Sequence, residues 1–319
     1  MQNAATRNVM SDPNVSDTAF AKGWTATAME ARVVRYADLR PCYNAFIDTR
    51  SPGSEAKENF TIIGPGVSEN PDQYVHIAEP HGFNIGGARQ PPACVNSQHS
   101  HDTAEVFVAH TGTWRFDLGE HGDDAQVVLH PGDVISLPTG MFRGFTNIGD
   151  DVGYLFAVLG GDDPGRVLWA PEVFDMAARY GLVLLQNGSL VDTAAGQQVP
   201  DGAIPMATTT PEQVAALHVP TSAEAEALVV RAAASSAAII GPAAPLGWPH
   251  PFTLDRMTGV SDRATPSAPE VLFVHAGTLA VAWDGGTLTL SAGDTMTMPV
   301  GLERSLAGDA VVYRVAGTG

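Results

Sequence analysis

The stretch EVFVAHTG at 105–112 returns as EVLFVHAG at 270–277, and PGDVISLPTGMFRGF at 131–145 returns as AGDTMTMPVGLERSL at 292–306. A third pair, PHGF at 80–83 and PHPF at 249–252, precedes them in the same order. Chance similarity does not keep three blocks in register, so the chain is a duplicated unit, and whatever one copy folds into the other must fold into as well. Around the blocks, short apolar runs alternate with polar residues between Gly, Pro and Asp turns, the pattern of β-strands. The 33 glycines and 23 prolines supply those turns, and a 44% hydrophobic share supplies the core.

Between the copies the texture changes. APEVFDMAARYG places Pro171 at a helix start and Gly181 at its stop, TTPEQVAALH offers Thr210 and Gln213 as a capping box, and TSAEAEALVVRAAA is alanine-rich. The expected division is an N-terminal arm at 1–30, a first domain at 31–161, a partly helical linker at 162–235 and a second domain at 236–319.

Residues 97–112, SQHSHDTAEVFVAHTG, carry the chemistry of the first copy. His99 and His101 are two apart, so on a strand they face the same way, and Glu105 shares their parity, with Asp102 and Thr103 marking a bend. Two imidazoles and one carboxylate converging on one point suit non-haem Fe(II), and also Mn, Ni, Zn or Cu, and leave positions open for substrate and O₂. The second copy has no such histidines: Ala264 and Pro266 stand in their places. It keeps Glu270 and Arg304, which match Glu105 and Arg143, so an Arg–Glu ion pair inside each copy accounts for both without a metal. A third arrangement combines them, with the metal on His99, His101 and Glu105 and Arg143 beside it holding an anionic substrate group.

These spacings resemble the cupin family. His99-x-His101, three residues, Glu105, six residues, Gly112 has the spacing of its first motif. Gly132, five residues, Pro138-x-Gly140, two residues, Arg143, three residues, Asn147 has that of its second, with Arg143 where the family usually has histidine. The second copy keeps Glu270, Gly277, Gly293, Pro299 and Gly301. The resemblance covers about 70–162 and 245–319. It implies an all-β chain of two cupin-type antiparallel β-barrels, or jelly rolls, the first holding the site and the second degenerate. It also implies His99, His101 and Glu105 as ligands.

The expected function is a metal-dependent, dioxygenase-like oxygenase acting on a small aromatic or carboxylated molecule, with Fe(II) foremost. Arg143 is the expected catalytic group. Substrate contacts are expected from Arg143, Phe107, Phe142, Arg115 and Trp114. The alternatives are a metal-free binding or structural protein built on a Glu105–Arg143 pair, and a metal-dependent isomerase or lyase. His110 has the opposite parity and is matched by His275, so both read as structural or interface residues, as do His81 and His250. His76, His121, His130 and His218 have no partner at a telling spacing and read as surface.

A net charge of −18 disfavours nucleic acid and anionic membranes. Cys42 and Cys94 are too few for a disulfide framework, the N-terminus has no basic start followed by an apolar run, and no stretch reads as a membrane span. The expectation is a cytoplasmic chain, and a homodimer.

Overall fold

The alternation in the first copy produces two facing sheets. The computed structural model describes residues 23–234, 237–242, 244–246 and 250–318. The expected arm at 1–30 falls mostly outside them, as do the apolar residues 247–249. One sheet has five strands in the order 167–169, 95–101, 143–147, 114–118, 125–129. The other has seven, in the order 229–230, 134–137, 105–111, 153–160, 83–90, 58–63, 75–77.

The strand Gly153–Gly160 is buried along its whole length because both its faces are covered. Leu155 and Ala157 turn inward to a core with Phe107, Phe116 and Phe145. Tyr154, Phe156 and Val158 turn outward onto the second copy. There Phe156 stacks on Phe273, ring centroids 4.2 Å apart and planes 10° from parallel. The outer face of an antiparallel sheet can stand in water; here it carries aromatic residues and needs the second copy to cover it.

The second copy is built from three long antiparallel strands, Phe252–Ala264, Glu270–Trp283 and Arg304–Gly317, with shorter partners Gly286–Ser291, Thr295–Met298 and Ala238–Ile240. Its motif glycine Gly277 has φ +75°, and a Cβ there would lie 2.0 Å from the Asp309 carbonyl oxygen, which explains why glycine recurs at this place.

The duplication extends further than the sequence blocks, in an exchanged form. The segment Thr25–Tyr36 aligns without a gap with Thr221–Ala232. Each opens with a threonine-capped helix, Ala26–Glu30 and Ser222–Ala227, and continues into a two-residue strand. Val33–Val34 precedes the first copy but pairs with Thr295 and Met296 of the second. Val229–Val230 precedes the second copy but pairs with Val134 and Ile135 of the first. The anchors repeat too. Asp294 accepts from Tyr36 N at 3.0 Å and Arg35 Nη1 at 2.9 Å, and Asp133 accepts from Ala232 N at 2.7 Å and Arg231 Nη1 at 3.0 Å. Residues 162–235 are therefore more than a linker. Val167–Trp169 joins the five-stranded sheet, and 221–232 is the arm that closes the edge of the seven-stranded one.

The paired histidines lie at contacts between the two copies. His110 and His275 meet with Nδ1 atoms 3.3 Å apart. His81 Nε2 bonds Thr297 Oγ1 of the other copy, and His250 Nε2 lies 3.1 Å from Ser136 Oγ. Among the described residues no helix is long and apolar enough to cross a membrane.

Candidate metal centre

The bend at 102–104 carries the chain from one sheet to the other. His99 and His101 end the strand Val95–His101 of the five-stranded sheet, and Glu105 begins the strand Glu105–Thr111 of the seven-stranded sheet. The shared parity is therefore not that of one continuous strand; the three side chains converge because the two sheets face each other. All three residues are buried, and one ligand atom from each lies within 4.8 Å of the others. His101 Nε2 is 3.6 Å from Glu105 Oε2.

The hydrogen bonds leave the histidines ready to coordinate. His99 Nδ1 lies 2.7 Å from the Ser97 carbonyl, which only accepts, so Nδ1 carries the proton and Nε2 keeps its lone pair. His101 Nδ1 is buried with no protein partner. Burial, reinforced by the Arg143 charge, pushes His99 down to about 3 and His101 well below the ordinary range, so both rings are neutral. Burial raises Glu105, and Arg143 opposes that shift.

Arg143 begins the strand Arg143–Asn147, in register with His99, and is fully buried. Its Nη2 donates to Glu105 Oε2 at 3.2 Å and its Nη1 to the Met141 carbonyl at 3.3 Å, while Nε has no partner. The second copy shows what this pair looks like without histidines. Arg304 grips both Glu270 oxygens, at 2.9 and 2.8 Å, and also bonds Asp262. The Glu105 pair is looser, with one nitrogen on one oxygen. A two-imidazole, one-carboxylate set with a free lone pair, an unpartnered ring nitrogen and a singly held carboxylate fits a divalent cation.

The site opens into a cavity of about 70 Å³ between the sheets, lined near the histidines by Phe107, Phe145, Leu159, Val167 and Trp169. Several expected substrate contacts lie elsewhere. Arg143 does not line this cavity; it stands behind Glu105. Phe142 packs with Val173 and Ala177 of the helix Pro171–Arg179 in a separate cluster. Arg115 points to the outer face of its sheet, where it forks onto Asp117 at 2.7 and 3.1 Å. Trp114 is sealed in the core, its Nε1 donating to the Thr111 carbonyl at 2.8 Å. Of the five expected contacts only Phe107 faces the cavity. His76, expected at the surface, is half-buried and bonds the Thr61 carbonyl at 2.7 Å; His121, His130 and His218 are exposed.

Other residues reach the site without any spacing to announce them. The Trp169 ring lies 5.3 Å from that of His99, and its Nε1 donates to Glu69 Oε1 at 2.6 Å. Glu69 also accepts from Ile47 N at 2.7 Å, and burial pushes it up to about 8. Lys57 and Asp48 form an ion pair with neither side chain exposed. Lys57 also donates to Asn96 Oδ1 at 3.0 Å, and Asp48 accepts from Ser97 N at 2.9 Å, fixing the residue whose carbonyl holds His99.

Residues 88–159 match the family model of the cupin domain. No curated protein matches the chain in sequence. Comparison with solved structures matches the formate complex of Lactobacillus farciminis oxalate decarboxylase, 12% identical, covering 89% of this chain and 84% of that one with TM-score 0.48. It also matches vicilin from Capsicum annuum, 12% identical, covering 89% and 85% with TM-score 0.49. A cupin 2 conserved barrel domain protein from Leptotrichia buccalis is 9% identical, covering 76% and 86% with TM-score 0.41. Residues 88–159 of the first copy thus match a cupin domain, and the second copy repeats that domain's sequence blocks.

Proposed function

We propose that the first unit is a divalent-metal enzyme acting on a small molecule, with oxygenase chemistry on Fe(II) as its reaction. The observation that carries this reading is the convergence of His99, His101 and Glu105, each buried and with ligand atoms within 4.8 Å, on one wall of a cavity. A metal held there supplies Lewis acidity and, if it is iron, the redox couple through which O₂ reacts with an organic substrate. The protein's own contributions follow from its hydrogen bonds. Ser97 sets the His99 tautomer, and Arg143 orients Glu105 and balances its charge. Phe107, Phe145 and Leu159 keep the reacting space apolar, which strengthens every electrostatic contact within it. About 70 Å³ is roughly half of the ~150 Å³ cavity that accepts a benzene ring, so of the aromatic or carboxylated molecules expected from sequence a small aliphatic carboxylate fits best.

The 3.2 Å Glu105–Arg143 contact supports a second reading, a metal-free binding or structural protein in which the pair is an end in itself. Metal analysis of the purified wild type and His101→Ala separates the two. Near-stoichiometric iron that is lost in the variant, with O₂ uptake on small carboxylates, is the expected result. Stoichiometric zinc, nickel or manganese without O₂ uptake moves the reaction to an isomerase or lyase. Wild type that takes up no metal after anaerobic Fe(II) treatment overturns the enzyme reading.

A further inference from the structure

The charges around the cavity restrict what can occupy its far end. Among the described residues lining it, none is lysine or arginine. The two buried cations nearest the site are already committed, Arg143 to Glu105 and Lys57 to Asp48. Only the metal end can therefore neutralise an anion. The opposite wall is neutral and polar. Across the seven-stranded sheet Phe107 is in register with Ala157, Gly86 and Thr61, and Ala109 with Leu155, Ala88 and Asn59. Asn59 and Thr61 thus share the inward face with Phe107 but sit three strands away from Glu105. Thr61 Oγ1 donates to Gln73 Oε1 at 2.6 Å, whereas the Asn59 amide nitrogen is buried with no partner. An unsatisfied buried donor is costly unless a ligand acceptor completes it.

We propose that the cavity selects a small molecule with one anionic or metal-chelating head and an uncharged, hydrogen-bond-accepting tail, and that Asn59 is the residue that reads the tail. This rests on the metal-centre reading above. A dicarboxylate is disfavoured because its second carboxylate would be buried against amides and aliphatic groups with no counter-charge. A carbonyl or hydroxyl in the same place accepts from Asn59 and leaves no charge uncompensated. Asn59 acts on binding at the end away from the metal, so replacing it changes ligand preference while leaving metal uptake intact.

The test uses the full chain loaded with Co(II), whose visible spectrum reports ligands entering its coordination sphere. Calorimetry first measures binding of Co(II) alone. Isosteric pairs are then titrated at pH 7.5, from malonate and malonamate through adipate and its monoamide, so that chain length scans the span. The expected result is that at one chain length the monoamide binds at least tenfold more tightly than its diacid. In Asn59→Leu that preference falls to about twofold with Co(II) affinity unchanged. Asn59→Asp, the closest match in shape, also loses it and serves as the second variant if the leucine disturbs folding. Diacids binding as tightly as monoamides to cobalt-loaded protein, no member binding, or an Asn59→Leu protein with its preference intact overturns the proposal while the metal centre stands. Failure to bind Co(II) at all overturns the metal centre and this inference with it.

Discussion

Replacing Lys57 by methionine asks how much of the first unit depends on a single buried charge. Lys57 and Asp48 are both fully buried. Without the ammonium, Asp48 keeps only the Ser97 N–H bond, and Asn96 loses the donor to its Oδ1. Breaking a buried ion pair from one side costs about 3–5 kcal/mol, because the remaining carboxylate has lost its counter-charge but not its burial. The pair itself is worth much less than that. In Lys57→Met/Asp48→Leu both charges are gone, and what remains uncompensated is the Ser97 N–H and the Asn96 carbonyl oxygen. Each such loss costs about 1–3 kcal/mol and is partly offset by apolar packing. The double variant should therefore be no less stable than Lys57→Met and recover part of its loss. Urea unfolding of wild type, both single variants and the double variant closes the cycle. Metal titration gives a second reading: Ser97, no longer held by a charged Asp48, positions His99 less well, and metal affinity falls about tenfold or more. A Lys57→Met protein within about 1 kcal/mol of wild type, with unchanged metal affinity, would refute the reasoning.

Three further outcomes follow from contacts already described. Arg143→Met and Arg304→Met should each destabilise the protein by about 3–5 kcal/mol, since each leaves a buried glutamate unpaired. Added Zn(II) should restore stability to the first and not to the second, as read by thermal unfolding with and without the metal. Gly277→Ala should cost more than about 1 kcal/mol, because alanine resists φ +75° and its methyl meets the Asp309 carbonyl; an unchanged unfolding midpoint would contradict this. His110 is held neutral, pushed down to about 4 by burial and by His275. Its native pKa lies below its unfolded one, so its contribution is present above pH about 6.5 and is lost as pH falls toward about 4. His110→Phe should remove that part of the acid sensitivity, and parallel stability–pH curves for variant and wild type would argue against it.

The duplication, the two sheets and the histidine pair were legible because each is written in local spacing. Glycines at forced turns, alternation along strands and His99-x-His101 all survive as text. What remained hidden depends on residues distant in sequence. Asp48 and Lys57 are nine positions apart in a turn-rich stretch with no motif, and Glu69 reaches Trp169 across a hundred residues. The arms at 25–36 and 221–232 are a repeat in plain sight. Sequence spacing divides the first between the terminal arm and the first domain and leaves the second in the linker, because each packs on the copy it does not adjoin. Arg143 misled in another way. Its position beside the motif pointed to substrate, but the choice between facing the cavity and facing Glu105 is made by side-chain packing.

The exchanged arms also set an order of events during synthesis. The first unit has its three candidate ligands and Arg143 by residue 143 and the last of its cavity wall by Trp169, but the strand that closes the edge at Val134–Leu137 does not leave the ribosome until Val229 and Val230 have been made. Until then the nascent first unit carries an open strand edge, the feature by which unfinished β-proteins pair with the wrong neighbour. The helix capped by Thr221 arrives just ahead of that strand, so the last step for the first unit is also the first step for the second.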